Sequence, residues 1–237
     1  MTNRTDKTSP LVYARIAGLL YLIMAPFAIF GNMYVPSLIV SGDAAMTANN
    51  IIASGSLFPL SIVSALLVQV GHIPLVLVLY KLLKPVNKTH ASFMVIFMLV
   101  SVPISMLSEL NRFAVLPLLS GADYLTVFTA GQLHALVPLF LNLHEIGIKI
   151  TFVFWGLWLF PMGYLFFKSG YIPKILSALL MIGCFGYLIQ FVSFCFFPRF
   201  GVIGAFMTIG EFPLLPLWLL IKGVDVEQWQ KSALESA

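Results

Sequence analysis

Charge is what this chain has least of. Only 9% of its 237 residues are Asp, Glu, Lys or Arg, while 60% are hydrophobic; soluble domains carry about 25% charged residues. A water-soluble fold would expose too much of that apolar surface, so the lipid bilayer is the expected solvent and partner. The net charge of +4 does not point to nucleic acid. The lysines and arginines sit at the ends of apolar runs and form no basic face, a pattern that membrane topology explains. Cysteine is nearly absent as well. Cys184 and Cys195 are the only two, and eleven helical positions hold them about 16 Å apart, beyond disulfide reach. No CxxC or zinc spacing occurs, and there is no GxSxG elbow, phosphate loop or dinucleotide fingerprint. In "HEIGI", Ile148 stands where a zinc-protease helix needs its second histidine after His144. The expectation is therefore no metal and no cofactor.

What is present is a series of apolar runs of about 20 residues, the length of a membrane-crossing helix. They fall at 16–36, 58–80, 91–112, 148–167, 175–196 and 202–221, which predicts a single all-α bundle of six transmembrane helices. The first run follows Arg4 and Lys7 but no clean small-x-small cleavage site, so an uncleaved first span is expected. Ten basic residues collect on one side: Arg4, Lys7, Arg15, Lys81, Lys84, Lys88, Lys168, Lys174, Lys222 and Lys231. The other side receives Arg199, with Arg112 and Lys149 near span ends. The positive-inside rule then places both termini in the cytoplasm. The long outer connection between spans three and four is too apolar for a solvated loop and predicts short interfacial helices broken at Pro138.

Heights along the spans follow from residue counts at about 1.5 Å each. Glu109 lies nineteen residues above His90, and Lys149 nineteen above Lys168; Arg112 and Glu145 lie twenty-two and twenty-three above the same anchors. Neighbouring antiparallel spans would thus set Glu109 level with Lys149 and Arg112 level with Glu145. Glu109 and Arg112 are also one turn apart, as are Glu145 and Lys149. Charges inside spans are costly and pair, so an outer network of Glu109, Arg112, Glu145 and Lys149 is expected. It either staples the helices or serves a substrate or ion. His144 either joins it or faces the headgroups.

A second polar layer lies nearer the bilayer centre. His72 is nine residues above Lys81, and Glu211 eleven above Lys222. Glu211 has no basic partner in its own run, which predicts a neutral acid or a bond to His72. Pro213, Pro216 and Pro74 free carbonyls of the preceding turn. Beside Glu211, His72 and Gln69 these are the materials of a proton or cation site in a broken helix. The bland alternative is a kinked helix whose glutamate bonds a neighbour. Gly183 and Gly186 in one run, with Gly156 and Gly163 in the one before, predict close helix packing. Trp155 and Trp158 are expected as lipid or core contacts.

"RIAGLLYLI" at Arg15–Ile23 and "FWGLWLFPMGYLFFKSGYIPKILSALLMIGCFGYLI" at Phe154–Ile189 resemble the bacterial integral membrane family known as domain of unknown function 4386. The distinctive part is a Trp-Gly-Leu span, a "KSG-x-IP" turn at Lys168–Pro173, then a basic residue and a Leu-rich span. Ser177 departs from the glycine expected there. The resemblance covers most of the chain, from about residue 11 to 222. It implies a bacterial cytoplasmic membrane and no established activity, so no catalytic residue carries over. Three functions are consistent with the residues: a small carrier of a molecule or ion with Glu211 and His72 at its centre, an intramembrane lipid-modifying enzyme, or an accessory subunit without chemistry.

Overall fold

The computed structural model describes residues 9–196 and 201–236. Arg4, Lys7 and Arg199, three of the topology charges, lie outside the described residues. Among the described residues the regular structure is helical throughout. Six stretches are long and apolar enough to cross a membrane: Pro10–Leu38, Leu57–Leu83, Lys88–Leu119, Ala130–Ser169, Lys174–Phe196 and Val202–Ile221. The protein is a multi-pass, all-α membrane protein.

Helix α1 (Pro10–Met33) opens on proline, whose missing N–H is no loss in a first turn. A short helix α2 (Ala44–Ala53) follows, capped by Asp43, whose Oδ1 accepts from the Met46 N–H at 2.8 Å. Helices α3 (Leu57–Leu83) and α4 (Lys88–Leu119) run on through Pro74, Pro103 and Pro117. At the start of α4 the Asn87 side chain accepts from the His90 N–H at 3.0 Å. Helix α5 (Ala130–Ser169) has 40 residues. It stops at Gly170, whose φ of 68° is open to glycine but strained for other residues. That glycine belongs to the "KSG-x-IP" turn leading into α6 (Lys174–Phe196). The sixth span is divided: α7 (Gly201–Met207), a 3-10 turn at Thr208–Gly210, then α8 (Leu214–Ile221). An amphipathic helix α9 (Val226–Glu235) closes the described chain, capped by Asp225.

The connection between spans three and four differs from the expectation. It holds a 3-10 turn at Asp123–Leu125, and then α5 begins at Ala130 and continues through Pro138 without a break. Proline removes one donor and crowds one carbonyl, and a helix with this many apolar neighbours on either side tolerates the loss.

The chain gathers into two compact units, each assembled from segments of several helices. The first takes its described residues from within Met1–Leu22, His72–Ser101 and Phe152–Ala237. Its glycines allow main chains to approach closely. A Cβ on Gly156 would stand 2.9 Å from the Cys184 carbonyl oxygen, and one on Gly163 2.9 Å from that of Ser177, which is the packing role expected of them. The second unit comprises Ile23–Gly71 and Val102–Thr151. Its apolar core joins Val35, Ala48, Ile51, Phe58, Ile62, Val115, Leu118, Val137 and Leu141. The short helix α2 is therefore a packed element, contributing Ala48 and Ile51.

Candidate functional site

In the first unit the break between α7 and α8 presents Glu211. Its side chain is buried, at 4% exposure, and its Oε2 accepts a 2.9 Å hydrogen bond from the Tyr187 hydroxyl on α6. The Trp158 indole of α5 borders the carboxylate, and the Tyr21 hydroxyl of α1 interacts with it electrostatically. The Tyr21 ring meets Phe212 edge-on at 5.0 Å. Glu211 is thus surrounded by neutral donors from three other helices, which can orient a carboxyl group without cancelling its charge.

His72 is buried in the same unit, at 8% exposure; the sequence left Glu211 either a neutral acid or bonded to His72, and the hydrogen bond at its Oε2 comes from Tyr187. The His72 ring faces Trp155 at 6.4 Å, Trp155 meets Tyr187 at 5.9 Å, and Tyr187 alone of the three donates to Glu211. Tyr21 Oη, His72 Nδ1 and Trp155 Nε1 are all buried, with no hydrogen-bond partner among the described residues. Such orphans are rare, because leaving one costs about 1–3 kcal/mol. Tyr21 stands against Phe212 next to Glu211, and ring contacts link His72 through Trp155 to Tyr187. Gln69, one turn before His72 on α3, is buried in the second unit and its Oε1 is likewise without a partner.

The second unit contains a charge cluster. Arg112, at 3% exposure, donates from Nη1 to the Gly31 carbonyl at 2.8 Å and to Glu109 Oε2 at 3.4 Å. His144 Nδ1 lies 3.2 Å from the Ser108 carbonyl and 3.7 Å from Glu109 Oε1. A carbonyl oxygen only accepts, so Nδ1 carries the proton and is directed at two acceptors. Gly147 makes room for this: a Cβ there would collide with the Ser108 hydroxyl and stand 2.8 Å from its Cβ.

Glu109 and Arg112 therefore pair along α4 as their spacing predicts, and His144 joins them. The expected rung between Arg112 and Glu145 is not formed. Glu145 is exposed, whereas Arg112 is buried and turns to the main chain of α1. Residue counts fix height along a helix and leave rotation about its axis open, and about 100° separates His144 from Glu145. Lys149 is half-buried on α5. Sequence reasoning missed the Gly31 carbonyl, Tyr187 and Tyr21, and it assigned Trp155 and Trp158 to packing alone. The available signal was that buried Tyr and Trp need partners for their polar ends. Among the described residues no three His, Cys, Asp or Glu side chains gather closely enough to share a metal ion.

A multi-pass helical chain with a buried carboxyl at a broken span and a separate buried ion pair is the class defined so far. Comparison with known proteins places it further: residues 16–223 match Domain of unknown function (DUF4386), and the chain belongs to that family. An uncharacterized protein of Archaeoglobus fulgidus is 33% identical over 166 residues, covering 69% of this chain and 83% of the relative. No solved structure matches.

Proposed function

We propose that the protein is a small carrier of the bacterial cytoplasmic membrane, with both termini in the cytoplasm, that couples movement of a small molecule or ion to exchange of a proton or cation at Glu211. The observation that carries this is the position of Glu211, a buried carboxyl at the interruption of a span, bonded to the neutral phenol of Tyr187. Ionisable groups inside spans are expensive and concentrate on transport pathways. Interrupted helices supply the main-chain polar groups that such pathways use. The buried polar groups of Tyr21, Trp155 and His72 offer a solute hydrogen bonds that the described residues leave unmade. The collection of basic residues on one side supports the orientation.

The test is proton flux into proteoliposomes loaded with a trapped pH-sensitive dye and driven by a potassium diffusion potential. Wild-type protein is expected to acidify the lumen faster than empty vesicles. Glu211→Gln should abolish the difference, while Tyr187→Phe, which keeps the carboxyl but removes its donor, should alter the rate without abolishing it. Flux in Glu211→Gln equal to wild type would overturn the proposal.

A further inference from the structure

Two groups stand out among the lysines near the helix ends of the first unit. Lys81 lies over the Tyr13 ring at 5.9 Å and Lys174 over the Phe167 ring at 5.6 Å, so each is engaged with an aromatic face. Lys84, Lys88, Lys168 and Lys231 instead line one cleft of about 770 Å³. Among the described residues none of these four has a carboxylate within 4.0 Å. The turn after α3 supplies Lys84, the first residue of α4 is Lys88, the end of α5 supplies Lys168, and α9 supplies Lys231.

The wall that α9 contributes is fixed in place. Its Trp229 indole donates to the Leu82 carbonyl at 3.0 Å, and the N–H of its capping residue, Asp225, donates to the Tyr171 carbonyl at 3.0 Å. One face of α9 then presents Gln228, Ser232 and Lys231 to the cleft, with Glu235 the acid among the lining residues. Among the described residues, four cations against one side-chain carboxylate leave an excess of positive charge at a concave site ringed by neutral hydrogen-bonding groups.

That composition selects an anion. Lysine binds phosphate as a mobile point charge with three donors, and the cleft falls within the range of about 300–1,000 Å³ typical of small-ligand sites. Basic clusters beside membrane spans also attract anionic lipid headgroups. We propose that this cleft binds a phosphate group, presented either by an anionic phospholipid at the membrane surface or by a soluble phosphate compound. The proposal is independent of any role for Glu211.

The test uses the full chain purified in a neutral detergent, with phosphatidylglycerol, phosphatidylcholine and inorganic phosphate as probes. Binding is read from tryptophan fluorescence, since Trp229 adjoins the cleft, and from the thermal unfolding midpoint. Saturable binding of phosphatidylglycerol but not of phosphatidylcholine or inorganic phosphate assigns a lipid; saturable inorganic phosphate assigns a soluble ligand. The pair Lys84→Gln and Lys231→Gln should weaken binding about 25-fold, at roughly fivefold per lysine. The pair Lys88→Gln and Lys168→Gln should do the same and guards against a folding defect in the first. Lys174→Gln, engaged with Phe167 at the same end, should leave binding unchanged. Failure of both phosphatidylglycerol and inorganic phosphate to bind overturns the proposal, as does equal weakening by Lys174→Gln, which would mean diffuse surface charge and no built cleft.

Discussion

Arg112 is almost wholly buried, and its partners differ in kind: a main-chain oxygen at 2.8 Å and a carboxylate at 3.4 Å. The shorter bond goes to the neutral group. Arg112 thereby ties α4 to α1 through Gly31 while offsetting the charge of Glu109 on its own helix. Removing only the cation leaves a carboxylate buried with a single histidine N–H beside it, so Arg112→Ala is expected to destabilise by about 3–5 kcal/mol, as breaking buried pairs does. Removing both charges together, in Arg112→Met with Glu109→Leu, should recover much of that loss, because neither ion is then left alone. Reversible unfolding in mixed micelles of the single and double variants checks both; a double variant no more stable than Arg112→Ala would mean that the pair is not the unit. His144, which donates toward the same carboxylate, is predicted to lose its preference for the Nδ1–H tautomer in Glu109→Leu only partly, since the Ser108 carbonyl remains. Nitrogen NMR shifts of the imidazole would report it.

At the scale of elements, the sixth span depends on what α6 allows. A Cβ on Gly186 would stand 2.6 Å from the Gly204 carbonyl oxygen, so α6 and α7 meet main chain to main chain. This contact holds α7 against α6 just ahead of the turn that leads to Glu211. Gly186→Val should push the two helices apart, lower the unfolding midpoint and break the Tyr187–Glu211 bond, whereas Gly131→Val, with open space around it, should be nearly silent in stability. Much of this level was legible beforehand. Apolar run length is a one-dimensional property, so the six spans were readable. Gly156, Gly163, Gly183 and Gly186 were readable as packing positions because small side chains have few other uses in a span. What could not be read was rotation. Arg112 was matched to Glu145 on height alone, and the actual acceptor, the Gly31 carbonyl, carries no formal charge to count. Tyr187 escaped for the same reason, since a phenol looks apolar in a hydropathy count until its hydroxyl meets a carboxylate. The continuity of α5 through Pro138 went unread because proline signals a break only when nothing else holds the helix.

For the whole molecule, six crossings imply that the loop after α4 and the turn after α5 emerge on opposite sides of the membrane. With both termini proposed to be cytoplasmic, a membrane-impermeant thiol reagent added outside intact cells should label Ser120→Cys, which is exposed, and spare a cysteine at Ser169. Cys195, also exposed, would first be replaced by serine. The reverse labelling pattern would invert the orientation and move the lysine cleft to the outer surface. The length of α5 has a consequence of another sort. Forty helical residues measure about 60 Å, twice the roughly 30 Å of hydrocarbon in a typical bilayer. Standing upright, such a rod protrudes well into the headgroups, where its Leu139 and Leu143 remain exposed; leaning, it draws them into the acyl chains. Hydrophobic mismatch therefore acts on this helix more than on its neighbours, and a change in bilayer thickness would be felt first as a change in its tilt.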